Sequence, residues 1–180
     1  MITNTLKNSS IRTGRSFDLG KMNLRQLWIA YLTYPTIMLY FVLAIASYAV
    51  MVLSCKSLLP IAISIVSVML VYPLVWYCIH RFILHGRFLY RMKWSASLWK
   101  RIHFDHHQDP HLLDVLFGSP LNTIPTIAIV TIPIGYAIGN MAGAAAAFGA
   151  GLTITCIYEF FHCIQHLNYK PRMRWIQRMK

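Results

Sequence analysis

The chain is 180 residues long, about one domain's worth, yet 57% of it is hydrophobic and only 12% charged, with a mean hydropathy of +0.50. A formal net charge of +12 then rests on few residues, so apolar and basic character must be segregated along the sequence. That excludes an ordinary soluble domain and predicts an all-α, multi-pass integral membrane protein.

Residues 1 to 26 are polar and basic and read as a loose N-terminal arm, with the membrane domain running from 27 to 180. A first apolar run, Trp28 to Ser54, carries no charge and is long enough to cross a hydrocarbon core of about 30 Å. Ala44-Ile45-Ala46 mimics a signal-peptidase site, but the apolar stretch before it is too long for a signal sequence and continues past it, so the run is read as a retained span. Cys55, Lys56 and Ser57 then link it to a second run, Leu58 to Ile79, predicting a tight antiparallel hairpin. His80 and His85 follow in HRFILH. Five residues on a regular helix is roughly 140° of rotation, so both rings point inward only if the helix ends, loosens or widens into a π-turn between them.

The soluble mass lies in the central loop, His85 to Pro120. Trp94, Leu98, Trp99 and Ile102 recur at helical spacing, with Lys93, Lys100 and Arg101 on another face, as for a helix lying in the interface. RIHFDHHQDPH follows, in which His103, His106 and His107 share one face at i, i+3 and i+4. Asp105 and Asp109 are candidate partners for the second ring N–H of a ligand histidine, or else solvated and helix-capping carboxylates. Asp109-Pro110 also reads as the cap and first residue of a short helix. His111, off the register of an unbroken helix, is kept only as an extra candidate ligand.

Gly118-Ser119-Pro120 punctuates the return to the membrane. A second hairpin is expected from Leu121 to Gly139 and from Ala142 to about Phe161, turning at Asn140 and Met141. Its glycines and alanines, GNMAGAAAAFGAG, read as close helix packing. Glu159, His162 and His166 share a face at the far end. The four cysteines form no C-x-x-C pair and read as space fillers among helices.

Of the 17 Lys and Arg residues, five precede the first run, six lie between the pairs and five follow the last, leaving Lys56 alone on the other side. The positive-inside rule then puts both termini and the central loop in the cytoplasm, with a helical cap at the interface. These basic residues flank apolar spans rather than lining one helix with stacking aromatics, so anionic lipid head groups are the expected contact, not nucleic acid. Three histidine clusters thereby arrive at one depth, where ionisable side chains near a bundle interior mark function. Neutral imidazole suits iron, zinc, copper or nickel, and one ion rarely takes more than about four to six ligands, so seven histidines imply two metals.

Placed in this order, HRFILH, HFDHH and YEFFHCIQH resemble the histidine boxes of the fatty acid hydroxylase and sterol desaturase superfamily, from about Trp28 onward. The family's final HX2-3HH box, normally found after a basic and aromatic stretch such as MRWIQRMK, has no counterpart here, so the chain resembles a member truncated before it. The resemblance implies a di-iron oxygenase with His80, His85, His103, His106, His107, His162 and His166 as ligands and O2 as co-substrate. Its substrate would be a lipid, hydroxylated at an unactivated C–H bond, with electrons from a cytochrome b5-like or ferredoxin-like protein. The host membrane would be a bacterial inner membrane or the endoplasmic reticulum, with the metals on the cytoplasmic face. Sterol desaturation and carotenoid hydroxylation are the alternatives within the class. Outside it stand a structural zinc protein without oxygenase activity and an inactive remnant.

Overall fold

The computed structural model describes residues 18–86, 88–92, 95–100, 104, 108, 111, 113–117, 119–167 and 177. Three of its helices are long and apolar enough to cross a membrane: Pro35–Ser54, Leu58–Leu84 and Pro120–His166. Among the described residues the architecture is all-helical, as expected. Its internal arrangement differs from the expectation in three places.

The first difference is a break in the leading apolar run. Helix α1, Leu24–Leu32, starts with a capping box in which the Asn23 side chain accepts the Gln26 N–H and Gln26 accepts that of Asn23, each at 2.9 Å. It stops because Tyr34 precedes a proline and is pushed out of the helical region. Pro35, whose missing N–H is no loss at a first turn, then opens α2, Pro35–Ser54. The crossing helix is therefore α2 alone, 20 residues and about 30 Å long.

The second concerns the pairing of helices. Helix α3, Leu58–Cys78, follows α2 after three residues, but both pack mainly on helix α4, Pro120–His166. The run of glycine and alanine is the cause, since a helix with almost no side chains lets its neighbours come closest. Tyr48 of α2 lies over Gly149 and its hydroxyl meets Thr153 Oγ1 at 2.9 Å. On α3, Ser64 sits against Gly143, and Tyr72 meets Thr155 Oγ1 at 2.8 Å.

Helix α4 is itself folded back. Gly139 and Asn140 have non-helical backbones, and Asn140, at φ 50° and ψ −139°, lies outside the left-handed helical region, in a conformation that L residues rarely adopt. A Cβ on Gly135 or Gly143 would run into the other's carbonyl, and one on Gly151 would meet Ile127 and Thr131. Along a continuous helix residues 135 and 143 would stand about 12 Å apart, so the chain reverses between them. The limb from 141 onward is the central helix, with Ala146, Ala147 and Leu152 fully buried. Gly135→Ala is expected to cost about 1–3 kcal/mol by overpacking two backbones in contact, read as a lower unfolding temperature in detergent.

The third difference lies in the arm, which is not loose throughout. Asp18 caps a short 3-10 turn, Leu19–Lys21, and Leu19 is fully buried with its N–H donated to the His111 carbonyl at 2.8 Å. In the central loop, helical turns are described at Phe88–Arg91, Ala96–Trp99 and Leu113–Leu116. Trp94 and Ile102 of the expected interfacial helix, and the Asp109-Pro110 helix start, lie outside the described residues. Ser119 and Pro120 open α4 where the return to the membrane was expected.

The contacts also fix direction. Pairs 64/143 and 72/155 make α3 parallel to the central limb, whereas 48/149 and 31/156 make α1 and α2 antiparallel to it. Gly139 abuts Pro60, so the two turns, Cys55–Ser57 and Gly139-Asn140, lie at one end of the bundle. The exits of α3 and α4, and with them four histidines, lie at the other.

Candidate metal centre

The site begins where α3 changes pitch. Ile79–Leu84 is a π-helical turn, closed by the His85 N–H on the His80 carbonyl at 3.2 Å. The extra residue in that turn brings histidines five apart onto one face. Their rings stand 5.0 Å apart, with the two Nε2 atoms separated by 3.3 Å. A metal with imidazole bonds of about 2.0–2.1 Å holds two neighbouring nitrogens about 2.9–3.4 Å apart, the range spanned by octahedral and tetrahedral edges. Without an ion, the same separation admits one shared N–H···N proton.

A helical end leaves its last carbonyls without intrahelical partners, and at Leu84, which is buried, that carbonyl needs a donor from the protein. Trp99 of the central loop supplies one, its indole N–H bonding the Leu84 carbonyl at 2.7 Å, while Ser95 Oγ ties the loop to the Leu89 carbonyl at 2.7 Å. Trp99→Phe would leave the Leu84 carbonyl without that donor. It is expected to lower stability by about 1–3 kcal/mol, measured by thermal unfolding, with the His80–His85 turn the first part to gain amide exchange.

The second group stands at the end of α4. His162 and His166, one turn apart, have ring centroids 5.1 Å from each other. His111 joins them: its ring lies 6.4 Å from that of His166, and its Nδ1 is 3.1 Å from the His166 carbonyl. An Nδ1–H donated to that carbonyl leaves Nε2 as the bare nitrogen, the tautomer a ligand needs. The Leu19 N–H on the His111 carbonyl holds the same residue from the other side. Behind these rings α1 packs an aromatic wall, with Trp28 4.1 Å and Tyr31 5.2 Å from Phe160, and the Tyr31 hydroxyl donated to the Cys156 carbonyl.

Glu159 stands one turn before His162 on the same helix face. It is 5% exposed, its Oε2 has no hydrogen-bond partner, and His162 Nδ1 lies 3.9 Å away, beyond hydrogen-bond reach. An orphaned buried carboxyl oxygen beside two imidazole groups suits a cation or a ligand N–H brought closer when the site fills. Tyr158 connects the groups: its ring is 5.6 Å from that of His162, and it shares with His80 the lining of a cleft of about 240 Å³ between α3 and α4.

His103, His106, His107, Asp105 and Asp109 lie outside the described residues. Among the described residues, no three His, Cys, Asp or Glu side chains stand close enough to hold an ion. The structure thus brings together His80 with His85, and His111 with His162 and His166. Sequence reasoning kept His111 only as an extra candidate, read Trp99 as an interfacial ring and passed over Leu19 and Tyr158, since each acts through partners remote in the chain.

Comparison with known proteins gives one result that bears on this arrangement. The family model described as Fatty acid hydroxylase matches residues 65–180, from the middle of α3 onward. No curated protein and no solved structure matches. The matched part is well over half of the chain and contains both histidine groups and the cleft between them, so the chain belongs to the fatty acid hydroxylase family of iron-dependent, lipid-modifying oxidoreductases.

Proposed function

We propose that the protein hydroxylates a fatty acyl or related lipid C–H bond with O2 at a centre of two iron ions. The ligands are His80, His85, His103, His106, His107, His162 and His166, with His111 added to the set by its place against His166. Glu159, and from the central loop Asp105 and Asp109, orient ligand rings or complete the donor set. When bound, the iron pair supplies the activation of O2 that insertion into an unactivated C–H bond requires. The chain's own residues do the rest: the π-turn aims two Nε2 atoms at one point, the aromatic wall fixes the His162 turn, and apolar helices keep water from the acyl chain.

The observation that carries this reading is the 3.3 Å approach of two Nε2 atoms at the end of an apolar bundle that also holds the other histidine group. Neutral nitrogen donors in excess of one ion's needs fit a binuclear iron site better than a closed zinc site, which takes four ligands and often sulfur. Electrons would come from a cytochrome b5-like or ferredoxin-like donor docking on the basic central loop.

In this reading the bundle crosses the membrane four times as two hairpins, α2 with α3 and the two limbs of α4, and the histidine end faces the cytoplasm. Cys55, exposed at the opposite end, is a built-in reporter. An impermeant thiol reagent added to the non-cytoplasmic side of the membrane is expected to label Cys55 and to miss a Ser97→Cys variant, whose position is exposed at the histidine end. The reverse pattern would invert the assigned orientation.

The deciding assay is the full chain expressed with iron and a defined lipid pool, purified in detergent. It should carry two irons per chain, and lipid extracts should contain a product one oxygen atom heavier than its precursor. Stoichiometric zinc that iron supply does not alter, with no oxygenated lipid, would favour a structural metal protein instead.

A further inference from the structure

The cleft at His80 is built from both sides of a membrane helix pair. Its α3 wall carries Tyr72, Trp76, Tyr77 and His80, and its α4 wall carries Thr155 and Tyr158. At the inner end the Tyr72 and Thr155 hydroxyls, 2.8 Å apart and buried, satisfy each other and close it. Eight residues of helix, about 12 Å, separate that floor from His80. At the rim, Tyr77 is 52% and Tyr158 45% exposed, so the cleft opens sideways, to the surroundings of the bundle rather than to its interior. Within membrane-spanning segments those surroundings are hydrocarbon, where neither water nor an unpaired polar chain is a stable filling.

Among the described residues, Arg81 brings a charge to the rim. The Arg81 guanidinium lies 5.9 Å from the Tyr77 ring and 5.9 Å from that of Phe82, held over aromatic faces at the level where α3 leaves the membrane. A ligand with its chain against Trp76 and its head group at this height meets that cation. That combination belongs to a lipid still in its bilayer, with an anionic phosphate above an acyl chain.

We propose that this cleft is a lateral lipid site that takes an acyl chain of an intact anionic phospholipid directly from the bilayer, with Arg81 facing the phosphate. The proposal rests on the reading of an oxidising metal centre at His80, and names the form in which its substrate arrives. The chain slides in between Tyr77 and Tyr158, and its methylenes pass His80 on the way to the Tyr72–Thr155 floor. A soluble acyl carrier has no part in loading.

The test is photo-crosslinking of the full chain in nanodiscs of phosphatidylcholine containing phosphatidylglycerol with a mid-chain diazirine, and adducts mapped by mass spectrometry. Adducts on Trp76, Tyr77 and Tyr158 should exceed those at lipid-facing positions of α2, such as Val42 and Ile45, several-fold. Arg81→Gln, at an exposed position, should lower the cleft signal several-fold for the phosphatidylglycerol probe and leave that of a phosphatidylcholine probe unchanged. Ile154→Trp, which fills the cleft, should lower both. Equal labelling of all lipid-facing helices would reduce the cleft to ordinary boundary lipid and overturn the proposal. So would displacement of the phospholipid probe by a small excess of free fatty acid, or crosslinks joining two copies at Tyr77 and Tyr158. Labelling needs neither iron nor turnover, so an inactive protein that still labels the cleft refutes the oxygenase reading alone, and an active one that does not refutes only this proposal.

Discussion

Protein carrying His85→Ala is expected to purify with less than its full iron and to yield no oxygenated lipid above background, while unfolding at close to the wild-type temperature. The separation of these effects follows from the position. His85 is exposed, one residue past the π-turn, and its ring touches His80 rather than the apolar core. Its loss removes a donor nitrogen from a pair 3.3 Å apart and leaves the packing of α3 on α4 untouched. His85→Gln sharpens the experiment, because glutamine keeps a hydrogen-bonding group near His80 but is a poor iron ligand. If the contact only tied off a helix end, His85→Gln would behave as wild type in iron content and product. Retention of both would remove this pair from the proposed centre.

The π-turn shows how much a local spacing can disclose. HRFILH places two histidines five apart, a separation that no regular helix puts on one face, and the structure supplies the widened turn that does. A join between two apolar runs was expected at Asn140 and Met141, and the non-helical backbone falls at Gly139 and Asn140, one residue earlier. The break at Pro35 was visible in the sequence too, but an uninterrupted apolar composition masked the backbone rule that ends α1 before it. The order of packing was not legible. The glycines and alanines of residues 139–151 announced close contact, but only three dimensions reveal that α2, α3 and the first limb of α4 all use the same helix, so that α2 and α3 are chain neighbours packed chiefly on a third element.

The site divides in the same way. Histidine sets at i and i+4 declare a shared face, and His162 with His166 is one. The partnership of His111 with His166 spans 55 residues, and that of Tyr72 with Thr155 spans 83. Such pairs depend on how helices are set against one another, which no periodicity encodes. Leu19 is the plainest case, since it lies in the polar arm and before the matched family region, yet it is fully buried and holds the His111 carbonyl.

Glu159→Leu is expected to separate stability from activity. In the structure the carboxyl is buried, its Oε2 has no hydrogen-bond partner, and His162 Nδ1 at 3.9 Å offers only a long charge contact, an arrangement that costs free energy. An apolar side chain removes the cost of burying that oxygen without a hydrogen bond, so the unfolding temperature of metal-stripped protein should not fall. If Glu159 serves the centre, by ligating it or by accepting the ring N–H of His162, the same change should cut iron affinity or product formation about 10–100-fold. Glu159→Gln separates the two roles, because the amide oxygen still accepts a ring N–H but ligates iron weakly. Partial activity in Glu159→Gln with none in Glu159→Leu would assign the carboxyl to orienting His162, and equal loss in both would assign it to the metal. A Glu159→Leu protein no less stable and unchanged in iron content and product would exclude Glu159 from the centre. The tension in this side chain is itself informative: the fold carries a buried carboxyl with one unsatisfied oxygen one turn before its histidine pair, and the proposed metal site gives that cost a purpose.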